Sequence, residues 1–309
     1  MTKIYTGDMS RREWLALRKT GIGGSDAGAV CGVNPYRSAF SVYNDKISED
    51  ISDDDNEAMR QGIDLEDYVA ERFCEVTGLK VKRSAFMYRS DKHPFMTADI
   101  DRFITGEKAG LECKTASAYS ADKWKDGAIP ESYEIQCRHY MAVMDWDHMY
   151  IACLILGKDF VIRKIERDPD MEEAVIKIEE DFWKNHVIPR VMPEPDGSTA
   201  YDEILDKYFQ RNNDIRSLRL QGFDDDLKRR EELGALIEKL ETERNEIDQR
   251  IKLGMEGNEQ AITKDYRVSW TFTETTRLDT KKLKAEEPEL YKRYAKTTTG
   301  RRFAVRRAA

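Results

Sequence analysis

The segment 95–115, FMTADIDRFITGEKAGLECKT, constrains the fold more than any other part of the chain because it sets charged side chains inside strand-like sequence. Side chains alternate between the two faces of a strand, so Asp99 and Asp101 are expected to share one face, and Glu112 and Lys114 to share a face of the next strand. A buried carboxylate without a partner is costly. These side chains are therefore expected to be paired, bound to a cation or open to water, and an edge-strand ion pair is the simplest interpretation.

The first two thirds of the chain alternate between helical and strand patterns. The predicted helices are 11–17, 40–46, 59–76, 131–144 and 171–186, and the predicted strands are 79–87, 95–104, 110–115, 149–156 and 160–165. Spacings of three and four residues indicate the helices, and alternation or short apolar runs indicate the strands. This order predicts an α/β (α+β) fold with a mixed central sheet flanked by helices.

A cluster of prolines marks a predicted domain boundary. Pro189, Pro193 and Pro195 are followed by Asp-Gly-Ser, a sequence typical of loops. We therefore predict domains at 1–192 and 193–309. The second begins as a helical extension with a heptad-spaced stripe formed by Leu233, Ile237, Leu240, Arg244, Ile247 and Ile251. A long helix that packs on a partner helix or on its own domain is expected, followed by a small strand and a short helix.

Composition excludes several classes of protein. With 40% hydrophobic residues among 309, the chain is not disordered as a whole. No apolar run approaches the ~18–20 residues of a membrane span, and the first residues lack the apolar region of a signal peptide. The five cysteines form no CxxC pair, which argues against a disulfide framework, a zinc site and an iron–sulfur cluster. A cytoplasmic protein is expected.

Charge is unevenly distributed although the formal net charge is only −8. Residues 49–57 are acidic and are expected to form a solvated loop. Residues 292–309 contain seven basic side chains and no acidic one, with Phe303 and Val305 among the arginines. This tail is either solvated or in contact with phosphates, and Arg301 and Arg302 are its candidate DNA contacts.

A candidate cation site combines the segment 95–115 with a helix. Glu66 falls on the apolar stripe of the predicted helix 59–76, so its carboxylate is expected to point toward the sheet that carries Asp101 and Glu112. Mg²⁺ prefers oxygen ligands and binds through one or two carboxylates together with substrate phosphates. A lysine beside the ion, here Lys114, can orient or deprotonate the attacking water. The set suits phosphodiester hydrolysis.

Two further segments carry polar candidates. Gln136 lies among aromatic residues on the predicted helix 131–144, either as a satisfied core amide or as a hydrogen-bond partner of water or phosphate. The segment 21–38, GIGGSDAGAVCGVNPYRS, is not a dinucleotide-binding motif because its third glycine would fall at Asp26. A glycine-rich turn leading into a helix capped by Ser25 is nevertheless expected to cradle an anion, to which Arg18 adds a charge.

These residues lie in motifs that resemble the YqaJ-type phage and prophage recombinases, grouped with phage lambda exonuclease among the restriction-endonuclease-like PD-(D/E)xK nucleases. The motifs, in order, are RKTGIGGSDAGAVCGVNPYR, GIDLEDYVAERFCEVTG, ADIDRF, LECKT and ESYEIQCRHYMAVM. The similarity covers about residues 11–190, with a looser likeness in the tail. The sequence departs from the family name at Ile100, which stands where the proline is expected and leaves Asp99 as a rival metal ligand.

The resemblance implies a two-Mg²⁺ exonuclease, with Mn²⁺ as a substitute, that digests linear duplex DNA from its 5′ end and leaves a 3′ single strand for annealing. It implies metal ligation by Asp101, Glu112 and the backbone carbonyl of Cys113, a water-orienting base at Lys114, an additional metal or water ligand at Glu66, an active-site glutamine at Gln136, and a terminal 5′-phosphate site at Arg18 and Ser25. It also implies a trimeric ring around DNA, a RecT-type annealing partner, and a phage or prophage protein working in the bacterial cytoplasm.

Two alternatives remain open. An endonuclease on the same fold would cut closed circular DNA, which an exonuclease cannot. A non-catalytic DNA-binding scaffold subunit would bind duplex in a salt-sensitive way without cleaving it. The set Asp101, Glu112 and Lys114 argues against the scaffold, because a non-catalytic protein has no reason to keep a buried acid–lysine pair.

Overall fold

The structure, a computed structural model, describes residues 1–51, 57–199, 201, 202, 205, 209, 218–297 and 302–307. The chain divides into two compact units, Met1–Gln210 and Arg211–Ala309. The division lies after the predicted boundary at 192/193 because the chain beyond Pro193 still packs on the first unit. Tyr201 is buried there, donates a hydrogen bond to the Pro193 carbonyl at 3.0 Å and packs on Phe40 with ring centroids 4.4 Å apart.

The helices of the first unit match the predicted ones closely. They are α1 Arg11–Arg18, α2 Gly24–Val30, α3 Ala39–Ile47, α4 Glu57–Thr77, α5 Glu131–Met144 and α6 Pro169–Phe182, which continues as a π-helical turn, Trp183–Val187. A 3₁₀ segment, Ala118–Gly127, precedes α5. Local sequence explains the starts: Ser10 and Glu13 form a capping box at α1, and the Asp168 carboxylate accepts the Met171 N–H at the start of α6.

The strands of the first unit form two sheets. They are β1 Thr2–Tyr5, β2 Ile22–Gly23, β3 Val81–Lys82, β4 Phe86–Arg89, β5 Met96–Ala98, β6 Arg102–Ile104, β7 Gly110–Ala116, β8 His148–Ile155 and β9 Asp159–Glu166. One sheet has the order β1-β4-β5-β2 and the other β3-β6-β7-β8-β9. Both are mixed, since β2 pairs with β5, and β7 with β8, in parallel. The predicted mixed α/β fold is therefore confirmed.

The predicted strand 95–104 is broken in the structure. Its first part, β5, belongs to the smaller sheet and its second part, β6, to the larger one, with Asp99, Ile100 and Asp101 between them. The expectation that Asp99 and Asp101 share the face of one strand is therefore wrong. Each carboxylate instead accepts a hydrogen bond from a different element, and together these bonds hold the connecting segment in place.

The larger sheet is covered on both faces of β7. Leu111 packs with Val69, Ala70 and Phe73 of α4 in one cluster of buried residues. The other cluster includes Cys137, Tyr140 and Met141 of α5. The strand that carries Glu112 and Lys114 thus lies between two helices, which limits the access of water to its side chains.

The second unit is built mostly from exposed helix. It contains α7 Asp224–Gly254, the hairpin β10 Gln260–Ile262 and β11 Arg267–Ser269, α8 Thr280–Glu286 and α9 Pro288–Tyr294. The expected long helix and small strand and helix elements are present. Every residue of α7 lies in the described ranges, and none is buried. No helix in the described ranges is long and apolar enough to cross a membrane.

Candidate active site

A buried acid–lysine pair on β7 forms the centre of the site. Glu112 is only 2% exposed, and its Oε1 lies 2.6 Å from Lys114 Nζ. The two side chains extend from the same face of the strand, as their spacing predicts. Burial works to lower the pKa of Lys114, but the carboxylates of Glu112 and Asp101 outweigh it and hold the pKa above its usual range. Lys114 is therefore a firmly protonated ammonium group.

Helix α5 completes the environment of Glu112. Gln136 Nε2 donates to Glu112 Oε1 at 2.6 Å and lies 3.3 Å from the Tyr140 hydroxyl. The Tyr140 ring also lies against α2, where a Cβ added to Gly24 would clash with it. Gln136 is thus a buried amide whose partner is the Glu112 carboxylate, and its hydrogen bond to water or phosphate stays a prediction.

One oxygen of the central carboxylate is left over. Glu112 Oε2 is buried and has no hydrogen-bond partner among the described residues. Burial raises the pKa of Glu112, whereas Lys114 lowers it, and the net direction is upward. A buried acceptor without a partner costs free energy, of order 1–3 kcal/mol. This unpartnered oxygen can therefore bind a cation or a proton without first breaking a hydrogen bond.

Asp101 is placed beside this pair by the segment between β5 and β6. Its Oδ2 accepts the backbone N–H of Cys113 at 2.8 Å, which fixes the carboxylate against the strand between Glu112 and Lys114. Burial and then the neighbouring Glu112 charge raise the pKa of Asp101 well above its usual value. A buried carboxylate whose charge is destabilised by a neighbouring carboxylate is typical of cation sites and acid–base pairs.

Glu66 approaches from α4, but arginines hold it. Its carboxylate is bonded to the buried Arg102 guanidinium and lies 3.4 Å from Arg83. Arg102 also donates to the Asp101 backbone carbonyl at 2.5 Å and to Asp67 at 2.6 Å. Arg102 therefore links α4 to the segment that carries Asp101, and the position of Glu66 as an additional metal or water ligand stays a prediction.

Asp99 has a different partner from Asp101. Its Oδ2 accepts the indole N–H of Trp14 at 2.9 Å. Burial raises the pKa of Asp99, against the lowering effect of the Trp14 hydrogen bond. The Trp14 ring in turn contacts the guanidinium groups of Arg11 and Arg18, each 4.7 Å from the ring. The Asp99 charge also contributes to the raised pKa of Glu112, so Asp99 as a rival metal ligand stays a prediction.

The two residues of the candidate 5′-phosphate site lie together. Arg18 Nη2 donates to Ser25 Oγ at 2.6 Å. The expected capping role of Ser25 is wrong, however, because α2 begins at Gly24 with Gly23 as its N-cap. The strand pairing of Ile22 and Gly23 with β5 starts the helix early, so Ser25 falls inside its first turn with its hydroxyl free to reach Arg18.

A buried ion cluster under this pair was missed in the sequence. Asp26, 1% exposed, accepts from Lys46 Nζ at 2.7 Å and from Arg37 Nη1 at 2.8 Å. Lys46 also donates to the Arg18 carbonyl at 3.0 Å. Burial works to raise the pKa of Asp26, but Lys46, Arg37 and Arg18 outweigh it and hold the pKa far below its usual value. An acidic residue within the apolar run of α2 was the available signal.

The comparisons with known proteins decide the family. The model of the YqaJ-like viral recombinase domain matches residues 13–147. The Bacillus subtilis protein YqaJ, itself described only as uncharacterised, is 36% identical over 303 residues, which are 97% of this chain and 95% of that protein. This chain belongs to the YqaJ family.

Solved structures resemble this YqaJ family member only distantly, in both sequence identity and TM-score. An alkaline exonuclease from Laribacter hongkongensis is 18% identical, with a TM-score of 0.49, over 56% of this chain and 91% of that one. A phage-related exonuclease from Haemophilus somnus is 14% identical, with a TM-score of 0.43, over 63% of this chain and 99% of that one. These values are too low to assign a reaction to the chain.

The carboxylates of this YqaJ family member fit a hard divalent cation whose remaining ligands would be substrate oxygens. Within the described ranges, no three His, Cys, Asp or Glu side chains form a ready-made metal cage. Asp101 and Glu112 nevertheless offer two carboxylates, and the leftover Glu112 oxygen is an unused ligand. Mg²⁺ keeps several waters and typically binds through one or two carboxylates together with substrate phosphates, so a complete protein cage is not required.

The basic tail is only partly described. Arg302 is exposed, whereas Arg301 lies outside the described residues. Nearby, Arg307 pairs with Glu231 of α7 at 2.8 Å, and the Phe303 ring lies 5.7 Å from the Arg230 guanidinium. The proposed DNA contacts of Arg301 and Arg302 are untested by this geometry.

Proposed function

We propose that the protein is a Mg²⁺-dependent exonuclease that degrades linear double-stranded DNA in the 5′→3′ direction and leaves 3′ single strands for recombination by annealing. The observation that supports it most directly is the buried Glu112, whose Oε1 is held by Lys114 and Gln136 while its Oε2 lacks a hydrogen-bond partner in the described part of the chain. Buried charge arranged in this way is expensive, and it is explained by a cation and a phosphodiester at the site.

Asp101, Glu112 and the backbone carbonyl of Cys113 would hold the cation, and Glu66 would join them if it exchanged its arginine partners. Two ions are proposed, with Mn²⁺ as a substitute. A bound cation supplies charge neutralisation at the scissile phosphate and an acidified water nucleophile. Phosphate oxygens of the substrate would supply the remaining ligands.

The side chains of the protein position the reacting groups. Lys114 Nζ, anchored by Glu112, lies 5.0 Å from the centre of the Tyr133 ring, and this ring limits where the ammonium group can move. From this position Lys114 would orient the attacking water by hydrogen bonding. It would act as a base only once cations neutralise the adjacent carboxylates, because those carboxylates hold its proton. Gln136 would keep the Glu112 carboxylate in its ligating orientation.

End recognition is assigned to the pair Arg18 and Ser25. A guanidinium group that already donates to a hydroxyl can exchange that bond for a charge-assisted one to a terminal phosphate. We further propose duplex DNA ends as the substrate, a trimeric ring as the working assembly, a RecT-type annealing protein as the partner, and the basic tail with Arg301 and Arg302 along the DNA. These features follow from the family resemblance and the charge pattern.

The decisive experiment uses linear duplex DNA with a phosphorylated, labelled 5′ end, incubated with Mg²⁺ or with a chelator. Metal-dependent release of labelled mononucleotide is expected. Glu112→Gln and Lys114→Met should each lower the rate by about 10²-fold or more, because each removes a charge from the site. Glu173→Gln and Lys177→Met change an exposed ion pair on α6 and serve as matched controls.

Circular dichroism and thermal melts of each variant would separate loss of activity from loss of fold. A closed circular duplex in the same reaction tests the endonuclease alternative, since an end-dependent enzyme leaves the circle intact. Salt-sensitive duplex binding without cleavage would favour the scaffold alternative. Full activity of both site variants would refute the assignment of the site.

A further inference from the structure

Tyr36 is a large aromatic side chain presented almost entirely to solvent. It is 79% exposed and lies in the loop between α2 and α3. A single exposed ring needs no explanation by itself, but this exposure leaves the ring of Tyr36 available to a contact partner outside the fold. The neighbourhood of Tyr36 identifies the chemistry of that partner.

The loop that carries Tyr36 is held firmly. Asn34 Oδ1 accepts the backbone N–H groups of Tyr36 at 2.8 Å and Arg37 at 3.1 Å. The Gly28 carbonyl accepts the N–H groups of Val33 at 2.9 Å and Asn34 at 3.0 Å. The tyrosine backbone is therefore fixed before any ligand arrives, and a contact made by the ring would lose little conformational entropy.

The loop that carries Tyr36 is anchored to elements of both parts of the candidate active site. On one side, Arg37 is tied to Asp26, the residue after Ser25 of the candidate phosphate site. On the other side, Gly28 packs so closely on α5 that an added Cβ would lie 3.1 Å from Ser132, the residue before Tyr133.

The Tyr133 ring in turn contacts Lys114, 5.0 Å away. Burial raises the pKa of Tyr133, and the Tyr36 hydroxyl is near enough to add to that effect. The loop of Tyr36, which is bonded to Gly28 and through it lies against Ser132, is thus close to the start of α5, where Tyr133 lies.

We propose that Tyr36 stacks on the nucleobase at the 5′ end of the strand being degraded. This inference rests on the proposed function and adds a contact to it: Arg18 and Ser25 take the phosphate, and Tyr36 takes the base. An aromatic ring stacks on every base, so this contact favours an unpaired terminal nucleotide of any sequence. It would hold the end frayed while the phosphodiester lies beside Lys114.

The test places 2-aminopurine at the 5′-terminal position of a phosphorylated duplex and a fluorescein label at the distal end. All variants carry Glu112→Gln so that the substrate stays intact. Anisotropy of the fluorescein reports binding, and 2-aminopurine fluorescence reports stacking of the terminal base. We expect strong quenching on binding with Tyr36 and with Tyr36→Phe, and loss of that quenching with Tyr36→Ala and with Tyr36→Leu.

Affinity for the end should fall by between about fivefold and about a hundredfold in Tyr36→Ala, the range that alanine substitution gives at stacking platforms. Tyr36→Leu keeps an apolar side chain of similar length, so its failure to quench would isolate the aromatic ring as the cause. Tyr119→Ala removes another exposed tyrosine and controls for general surface effects.

The possible results separate the two proposals. End binding with unchanged quenching in Tyr36→Ala, or equal loss of quenching in Tyr119→Ala, would overturn the role of Tyr36 and leave the exonuclease proposal standing. Absence of end binding in every variant, together with absence of cleavage by the unmodified protein, would overturn both. Loss of quenching confined to Tyr36→Ala and Tyr36→Leu would support both.

Discussion

Glu112 shows how much of the site depends on single atoms. One of its oxygens is bonded twice at 2.6 Å and the other is left without a protein partner in the ranges that the structure describes. Replacement of a buried acid and its lysine together by apolar residues of similar volume is often neutral or stabilising. The retention of Glu112 beside a charged lysine therefore indicates that the charge is needed for binding or chemistry, which places the central asymmetry of the site at one carboxylate.

Arg18→Ala should change the choice of DNA end more than the rate at saturation. Loss of a charge-assisted hydrogen bond to a terminal phosphate corresponds to ~1.5–3 kcal/mol, about a tenfold to a hundredfold fall in the preference for 5′-phosphorylated over 5′-hydroxyl ends. The ratio of kcat/KM values on the two substrates measures it. Arg12→Ala, which removes an exposed arginine from the same helix, is the matched control. An unchanged ratio in Arg18→Ala would remove Arg18 from the phosphate site.

Lys46→Met should destabilise the first unit strongly. Lys46 and Asp26 are both almost fully buried, and removal of one partner leaves the other charge uncompensated, at a cost of ~3–5 kcal/mol. Urea unfolding at neutral pH measures the free energy. Lys177→Met, at an exposed pair, should cost less than ~0.5 kcal/mol.

The same pair has a defined pH dependence. The folded-state pKa of Asp26 is depressed below its ordinary value of 3.8, so its stabilisation is present above pH 3.8 and is lost as the pH falls below that value. The difference in stability between Lys46→Met and the unmodified protein should therefore shrink in acid. A constant difference across that range would contradict the ion-pair account.

At the scale of elements, the helices and the β8–β9 hairpin were predictable and the route of the chain past the site was not. The spacing of apolar residues and the capping residues lie within the element that they define. For that reason the predicted ends of α4, α5 and the hairpin fall within a few residues of the observed ones. The break between β5 and β6 depends on contacts with Trp14 and with the Cys113 N–H, which are 85 and 12 residues away in sequence. The alternation of side chains within residues 95–104 does not reveal partners that are distant in sequence.

The candidate site divides along the same line. Glu112 and Lys114 were predictable as a pair because strand spacing alone puts them on one face. The partners of Glu66, in contrast, come from other elements, and helical spacing could place its carboxylate near the sheet without revealing Arg102. The arginine itself reads as an ordinary strand residue in the sequence. Trp14 lay within reach of sequence analysis, since Arg11 and Arg18 flank it at helical spacing.

Helices α5 and α6 and strand β5 are joined by one buried histidine. His139 faces the Glu179 carboxylate through Nδ1, at 2.8 Å, and the Thr97 carbonyl through Nε2, at 2.9 Å. Both neighbours are acceptors, so both ring nitrogens must carry protons. Burial works to lower the pKa of His139, but Glu179 and Thr97 outweigh it and raise the pKa above its ordinary value of 6.5.

The stability of this junction should therefore fall in alkali. Because the folded-state pKa is raised, the stabilisation is complete below about pH 6.5 and is lost as the pH rises through the folded-state value. A loss of ~1.5–3 kcal/mol is expected, the usual contribution of a hydrogen bond to a charged group. Urea unfolding at a series of pH values from 6 to 9 measures it, with His139→Gln as the comparison. Equal slopes for the two proteins would show that His139 does not titrate there.

At the scale of the whole molecule, the two units differ in how much they bury. The first contains both clusters of buried hydrophobic residues, whereas Met255 is the only buried residue among the described residues 218–297 and 302–307. The stripe on α7, predicted to pack on a partner helix or on its own domain, is exposed, with Leu240 and Ile237 each 55% accessible. A unit of this kind contributes little hydrophobic stabilisation of its own.

Calorimetry should therefore register the first unit almost alone. Unfolding enthalpy near 60 °C is about 0.7 kcal/mol per residue, or ~150 kcal/mol for the 210 residues of the first unit against ~215 kcal/mol for all 309. We expect a single transition near the smaller value at low protein concentration. An enthalpy near the larger value, or a second transition that moves with protein concentration, would mean that α7 has found a partner. Leu240→Lys, which interrupts the exposed stripe, should then return the unfolding enthalpy to the value of the first unit.

The segment from Asp99 to Asp101 has a consequence for the tolerated length of the chain. Three residues span the step from one sheet to the other, and the acids at its two ends are held by Trp14 and by the Cys113 N–H. The segment therefore acts as a spacer of fixed length between the sheet next to Arg18 and Ser25, for which end recognition is proposed, and the sheet that carries Glu112. Insertion or deletion of one residue at Ile100 would keep every functional side chain in the sequence and still separate the two halves of the site.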